Sequence, residues 1–420
     1  MNKKHLFATL YRTLALASVL SLAACGSGAS LDGVIGGTGI KGPVNNATVA
    51  AYAINAGAMG QRIGTTTSNA SGNFNVSMGA YSGPVMLQMS GGTYTDEATG
   101  TMMSMAAGDV MSAVLPSVAA GAIVNGVHMT PVTSMAQTIA QHLSGGMTDA
   151  NIAAANAALG TYFMVGDILH VQPMNPLVAG AGSGATQDAK NYGMTLAAMS
   201  QYATSQGMTQ SSAMVTALMN DASDGVMDGM MGSDSDSVSR PVMMGGMDSG
   251  VPMPGTAGTS GLASAMLNFI GSAHNQSRVS ADAMKALMDH LSGSDGNMLG
   301  AIATPVVKGT ISGTFFNGVV KTGTVTAFAV DNGAQGAQIA SASTDAQGHF
   351  TIPTGSYAGA LMVQANHGTY TDAATGTTMM MGASDVMTAV MPTVSSGATT
   401  NGVWVTPLTA MAQVLSLIHI

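Results

Sequence analysis

Two kinds of side chain in this sequence are grouped closely enough to suggest chemistry: thioethers and carboxylates. Met227, Met230, Met231, Met243, Met244 and Met247 fall, with Met253, inside the stretch DASDGVMDGMMGSDSDSVSRPVMMGGMDSGVPMPG, residues 221–255. A thioether is a soft donor suited to Cu(I) or Ag(I), and close spacing would let one loop wrap one ion. Against that stands supply. The chain holds 37 methionines, and methionine is an adaptable packing residue throughout protein cores. The expectation is therefore no metal and no cofactor, with a soft-metal loop as the alternative. The aspartates of the same stretch, Asp221, Asp224, Asp228, Asp234 and Asp236, do not fall at calcium-loop spacing. Asp-Gly pairs at 224–225 and 228–229 read as turns.

A second carboxylate motif is written twice. GTYTDEATG spans Gly92–Gly100, and GTYTDAATG spans Gly368–Gly376. Glu97 in the first becomes Ala373 in the second, which excludes a carboxylate pair common to both. Tyr94, Asp96 and Gly100 recur as Tyr370, Asp372 and Gly376. This frame reads as a loop, with the aspartate accepting nearby backbone N–H groups and the glycine supplying positive φ. The two tyrosines are expected to pack at the edge of a sheet.

Other signatures fail on context. Gly37–Gly42 matches G-x-G-x-x-G, but no helical pattern follows and the second copy carries Phe315 at the central glycine. No HExxH, GxxxxGK, GxSxG or CxxC occurs, and the nine histidines are scattered. His128 is replaced by Trp404 in the second copy, which suits packing rather than ligation. Many serines and threonines are present, but no signature selects one as a nucleophile. An enzyme is not expected.

The elements that position these residues follow from an internal repeat. At an offset of 276 residues, Gly33–Gln137 matches Gly309–Gln413 without a gap. Roughly half the matched positions are identical. Within each copy, short β-favouring runs such as Thr48–Ala53, Asn73–Ser77 and Pro84–Met89 are split by turn signals. NASGNF (Asn69–Phe74) and DAQGHF (Asp345–Phe350) read as hairpin loops. Thr130-Pro131 reads as a helix start, with Thr capping and Pro at the first position. Helical patterns continue over Pro131–Leu143, Thr148–Tyr162, Ala185–Ser205, Gln210–Asp221, Ser260–His274 and Ala281–Leu291. The stretch 221–255 is rich in Gly, Asp and Ser and is expected to be a flexible loop.

The order GPVNNATVAAY, SNASGNF, GAYSGPVML resembles the carboxypeptidase regulatory-like module of transthyretin-like fold. It covers Val34–Ser90 and, more loosely, Thr310–Asn366. Departures are a Met-rich continuation through Pro116 and Lys321-Thr322-Gly323 in place of Asn45-Asn46-Ala47. The resemblance implies a β-sandwich that is accessory, without catalytic residues of its own. The unit as a whole, with its VTPLT-x-MA helix start, resembles secreted bacterial lipoproteins.

The N-terminus supports export. MNKKHLFATLYRT is basic, and the apolar run Leu14–Ala24 is short for a membrane span but fits a signal-peptide core. Leu22-Ala23-Ala24-Cys25-Gly26 resembles the bacterial lipobox, which implies cleavage before Cys25 and acylation of its thiol and new amine. Cys25 is the sole cysteine, so no disulfide forms within the chain. Two or more acyl chains anchor stably where one is marginal. Gly26 after the cysteine implies the outer membrane, on its periplasmic side or at the cell surface. Losing Lys3, Lys4 and Arg12 with the leader takes the formal charge from −9 to −12. That acidic balance, with scattered cations, argues against nucleic acid.

The expected fold class is α+β multidomain: a transthyretin-like β-sandwich, a helical domain and a second β-sandwich. The expected division is a signal peptide 1–24, a linker 25–32, sandwich one 33–130, the helical domain 131–305, sandwich two 306–406 and the start of a second helical domain 407–414. The tail 415–420 breaks the repeat inside a helix that the first copy completes, and it is expected to be non-native. Functionally the chain reads as a membrane-anchored, non-enzymatic lipoprotein of structural, adhesion or ligand-display role. Its partners would be the bilayer through acylated Cys25 and a protein or glycan; the alternative is an envelope soft-metal binder.

Overall fold

Strand alternation decides where the first core forms. In TVAAYAIN (Thr48–Asn55), Val49 and Ala51 point to one side of the sheet and Ala50, Tyr52 and Ile54 to the other, and all are buried. Such a strand needs cover on both faces, and the computed structural model supplies it. The structure describes residues 32–106, 108–231, 240–245, 251–300, 309–331, 333–372, 374–382 and 384–418. The leader, Cys25, Asp234, Asp236, Met247, His419 and Ile420 lie outside the described residues.

The first module contains β1 (Gly33–Gly39), β2 (Thr48–Asn55), β3 (Ala58–Thr67), β4 (Asn73–Gly79), β5 (Gly83–Ser90), β6 (Thr93–Thr95), β7 (Met102–Ser104), β8 (Val110–Val118) and β9 (Ile123–Met129). Three strands, in order β4-β1-β9, face four, in order β3-β2-β5-β8, while β6 and β7 form a short ribbon. Ile35, Val76 and Val127 of the first sheet meet Val49, Leu87 and Ala113 of the second in one apolar core. β3 passes to β4 through the expected turn. Asn69 Oδ1 accepts the N–H groups of Ser71 and Asn73, both at 3.0 Å, and Gly72 takes φ 77°.

The outer face of the four-stranded sheet is covered by helices. α1 (Pro131–His142) starts where expected: Thr130 Oγ1 accepts the Thr133 N–H, and Thr133 Oγ1 accepts the Thr130 N–H. α2 (Asp149–Tyr162), α3 (Gln187–Ser205), α4 (Ser212–Asp221), α5 (Ser260–Ile270) and α6 (Ala281–Gly293) follow. Thr148, Thr186 and Ser280 cap α2, α3 and α6. α5 is shorter than the pattern to His274 suggests. Gly271 follows its last turn, and the Asn275 amide folds back onto the Ile270 carbonyl at 3.1 Å. Ala50, Tyr52, Met86 and Val114 from the sheet join Val132, Ile139, Ile152, Tyr192 and Phe269 in a second core.

Within the stretch 221–255, read from composition as a flexible loop, the described residues 221–231, 240–245 and 251–255 include short paired strands and core contacts. β10 (Met230–Met231) pairs with β11 (Arg240–Pro241), and β12 (Met243–Met244) with β13 (Val251–Pro252). Met227, Met231, Val242, Met244 and Met253 are buried in the helical core. Composition misleads here because unbranched thioethers fill irregular gaps between Ala-rich helices.

The second module repeats the first: β14 (Thr310–Phe315), β15 (Thr324–Asp331), β16 (Ala334–Ser343), β17 (His349–Pro353), β18 (Gly359–Asn366), β19 (Thr369–Thr371), β20 (Thr378–Met380), β21 (Met387–Val394) and β22 (Thr399–Val405). The sheet orders, β17-β14-β22 and β16-β15-β18-β21, match those of the first. α7 (Pro407–Ile418) follows as α1 does in the first copy. Bonds join the copies: Gln88 Nε2 donates to the Gln338 carbonyl at 3.1 Å, and Gln338 Nε2 to that of Gly108 at 2.9 Å. Against Gly355, the buried His142 ring is neutral. Burial pushes its pKa down to about 4, and Nδ1 lies 2.7 Å from the Thr138 carbonyl, to which it donates.

The glycines of the G-x-G-x-x-G match have packing reasons. β1 pairs with β9 in parallel, with an irregularity between Ile35 and Gly37 that recurs between Ile311 and Gly313. A Cβ on Gly37 would lie 2.0 Å from the Val127 carbonyl oxygen, and one on Gly313 1.9 Å from that of Val403. Gly42, at φ 62°, would meet the Thr95 oxygen at 2.3 Å. Gly37→Ala should therefore destabilise the first module by on the order of 2–4 kcal/mol. Chemical denaturation checks this; an unchanged midpoint would refute the close-approach account.

Candidate functional site

The GTYTDEATG loop does not stand alone. The turn after β1 delivers Lys41 beneath it, and helices α3 and α4 close over both. Lys41 is 2% exposed, Asp96 0% and Glu97 3%. Lys41 Nζ donates to Ser200 Oγ at 2.6 Å and lies 3.8 Å from Asp96 Oδ2 and 3.7 Å from Glu97 Oε2. It also sits 5.1 Å from the centre of the Tyr94 ring, a cation–π contact out of water.

Every oxygen of the two carboxylates is used. Asp96 Oδ1 accepts the N–H groups of Ala98 and Thr99 and the Thr99 hydroxyl at 3.0–3.1 Å, as expected of the loop. Asp96 Oδ2 accepts the Ser211 hydroxyl. Glu97 Oε1 accepts the Gly42 N–H at 2.8 Å, and Oε2 the Ser200 hydroxyl at 2.6 Å. The Tyr94 oxygen accepts the Ser212 N–H at 3.1 Å, at the first turn of α4. Alongside, Asp109 accepts the hydroxyls of Ser212 and Thr216, each at 2.7 Å. Burial pushes the Asp109 carboxyl above its ordinary range, and those two hydroxyls pull it part of the way back.

A lysine 2.6 Å from a serine hydroxyl suggests a Ser–Lys nucleophile. The geometry opposes that use. An ammonium held between two carboxylates is a counter-ion rather than a base, and Ser200 gives its proton to Glu97. Ser200 is also completely buried, so no acyl group reaches it. What this arrangement does is fasten. Charge-assisted bonds tie β1's turn and the loop to Ser200 and Ser211, on or beside two helices and over a hundred residues further along the chain.

The second copy keeps the loop without the charges. Asp372 Oδ1 accepts the Ala374 and Thr375 N–H groups and the Thr375 hydroxyl at 2.7–3.1 Å. The Thr375 hydroxyl first, and its N–H next, hold this carboxyl below its ordinary range. Asn317 stands where Lys41 does, and Ala373 where Glu97 does. Gly100 and Gly376 take φ 64° and 67°, the positive values expected of them. Tyr370 is half-buried at the edge, as expected, but Tyr94 is buried inside the first core and pinned to α4, which corrects its edge placement. Lys41, Ser200 and Ser211 were not picked out from sequence, and Glu97 was noted only as the residue lost in the second copy. The available signal was the joint loss of Lys41 and Glu97 across the repeat.

Met227, Met231 and Met244 are buried in the helical core, while Met230 and Met243 are half-exposed on separate short strands. Among the described residues no three His, Cys, Asp or Glu side chains converge as a metal site. Asp221 is buried, with Oδ1 accepting the N–H groups of Asp228 and Gly229 and Oδ2 without a partner. Burial, reinforced by the charges of Asp228 and Asp224, pushes its pKa up to about 8. A cleft of about 700 Å³ opens between the modules beside α4, lined in part by Met105, Asp109, Thr216, His367 and Met381. The Asp109 oxygens there are already taken.

No protein family's model matches the chain, and no curated protein matches it. Among solved structures, a 9R-lipoxygenase from Cyanothece PCC8801 is similar at 9% identity over 84% of this chain, with a TM-score of 0.16. The chain spans 42% of that protein's length. A likeness that slight says nothing about fold or activity.

Two outcomes follow from the buried charges. Lys41→Met leaves two carboxylates without a counter-ion and should cost ~3–5 kcal/mol in chemical denaturation. Lys41→Asn combined with Glu97→Ala, the second copy's pair, should cost less than the two single changes together; strict additivity would show that the groups are not coupled. Asp221 has a folded pKa raised from 3.8 to about 8. Its contribution to stability is complete below pH 3.8 and is lost as pH rises through 8. The Tm should therefore carry a declining component as pH rises from about 4 to 8 that levels off above 8, and Asp221→Asn should flatten it; an unaltered slope over that window would refute the assignment.

Proposed function

We propose that this protein is an exported, lipid-anchored component of the bacterial envelope, non-enzymatic, with a structural, adhesion or ligand-display role. In this reading each two-sheet module is a β-sandwich of transthyretin-like type, and the helical domain is a rigid mount for both. The observation that carries it is the lipobox-like Leu22-Ala23-Ala24-Cys25 lying just before the first strand, which opens at Gly33. Acyl chains at Cys25 would hold the folded body beside the bilayer on a short tether, and Gly26 favours the outer membrane. Closure of the charged cluster adds support. Lys41, Asp96 and Glu97 are spent on holding elements together, which leaves them no role toward a substrate. The same holds for the core thioethers Met227, Met231 and Met244, so display is preferred to soft-metal binding. The partner would be a protein or a glycan meeting the module surfaces.

Cys25→Ser should move the protein from the membrane fraction to the soluble one and abolish labelling by a radioactive fatty acid. Retention of Cys25→Ser in the outer-membrane fraction would sink the anchor.

A further inference from the structure

The turn after β18 differs from its counterpart in a way that turn geometry does not explain. Gly91 holds φ 65° in the first copy, and His367 holds φ 56° at the equivalent place in the second. Glycine adopts that region freely, whereas a residue with a side chain is strained in it. The imidazole Nδ1 gains nothing in return: it is buried and has no hydrogen-bond partner. Burial also pushes the pKa of this ring down, so at neutral pH the imidazole is uncharged and keeps a nitrogen lone pair. A strained residue with an orphaned buried nitrogen calls for a ligand.

His367 lines the cleft of about 700 Å³ between the modules, and methionines reach that cleft from three segments. Met380 and Met381 belong to the same hairpin, where the Met381 N–H donates to the Gly368 carbonyl, beside His367, at 2.9 Å. Met105 is the first module's counterpart of Met381, and its N–H donates to the Gly92 carbonyl at 3.1 Å. Met243 comes from β12. The modules touch here. A Cβ on Gly108 would lie 2.6 Å from Thr324 Cγ2, and one on Gly368 2.8 Å from the Gly323 nitrogen, so both segments flank the pair Gly323-Thr324. The second copy differs from the first by adding donors: His367 stands for Gly91 and Met380 for Ser104.

Among the described residues lining the cleft, Asp109 is the only carboxylate, and the hydroxyls of Ser212 and Thr216 occupy its two oxygens. A hard cation therefore finds no free anionic oxygen. Thioethers with a neutral imidazole suit a soft, filled-shell cation. We propose that this cleft binds a single Cu(I) ion, with His367 Nδ1 and the thioethers of Met381 and Met105 as its donors and Met243 and Met380 beside them on its more open side. Unbranched methionine side chains let such donors close on an ion by rotation alone. Of the stretch 221–255 the site uses Met243 only. The ion would clamp the two modules together, beside the display role proposed above and not in place of it.

The test titrates Cu(I), without oxygen and against a chromophoric Cu(I) chelator, into the chain carrying Cys25→Ser, in which no thiol competes. The expected result is one Cu(I) taken from the chelator per chain, with a rise in Tm. His367→Gly installs the residue that the first copy already uses at this φ, so it should keep the circular dichroism spectrum while weakening binding by roughly tenfold or more. Met105→Leu with Met381→Leu, which conserves volume, should weaken it similarly. Met227→Leu with Met231→Leu, outside the cleft, should leave it unchanged. In the absence of any of these changes, Ag(I) as a redox-inert stand-in should slow peroxide oxidation of Met380 several-fold but not that of Met102, the two being 77% and 76% exposed. Failure to take Cu(I) from the chelator, an affinity that His367→Gly leaves untouched, loss of binding in the Met227 and Met231 pair alone, or equal protection of Met102 would each overturn the site.

Discussion

A buried ammonium must be neutralised where it sits, and Lys41 draws the first module and the helices together for that reason. Its side chain is out of water on all sides, so Asp96 and Glu97 have to face it, and their remaining lone pairs need donors. Those donors come from the loop itself, from the turn at Gly42 and from Ser200 and Ser211 in the helical layer. The relative placement of sheet and helices is thereby specified by bonds with direction, where apolar packing alone would tolerate small slides. Such a cluster is a weak source of net stability. What it supplies here is register between elements far apart in sequence.

The repeat shows what happens when that constraint is lifted. Asp372 and Thr375 reproduce the loop's internal bonds without burial, so the loop geometry is local and independent of the ion pair. The Lys41–Glu97 pair is added only where helices close over the loop. The glycines follow a different rule. Gly37 and Gly313 are required in both copies because the β9 and β22 carbonyls pass too close for any side chain.

Methionine supplies much of what aromatic and branched residues supply elsewhere. With aromatics at 4% of the chain, thioethers such as Met135, Met194, Met227 and Met266 occupy the gaps between alanine-rich helices. This explains why a Gly- and Asp-rich stretch is nonetheless partly core. Its methionines are anchors, while its aspartates make turns, and Asp221 is carried inside with them at the cost of a raised pKa.

Much of the fold was legible in the chain by itself. The repeat offset, the strands around Val49, Phe74 and Leu87, the turns at Asn69 and Asp345, and the capped helix at Thr130 all rest on local rules of alternation, turn chemistry and capping. So did the loop frame of Asp96 and Asp372, whose Oδ1 bonds reach no further than three residues along the chain. The site was not legible, because Lys41, Glu97, Ser200 and Ser211 are far apart in sequence and only the closing of the helical layer brings them within hydrogen-bond reach. The core role of Met227, Met231 and Met244 was hidden for the same reason, since burial is set by what packs against a residue and not by its neighbours in the chain. Sequence alone thus determined the local elements and their duplication, which are short-range matters. Tertiary structure alone decided which residues close over the buried charge at Lys41, because that depends on helices that lie far from it in the chain.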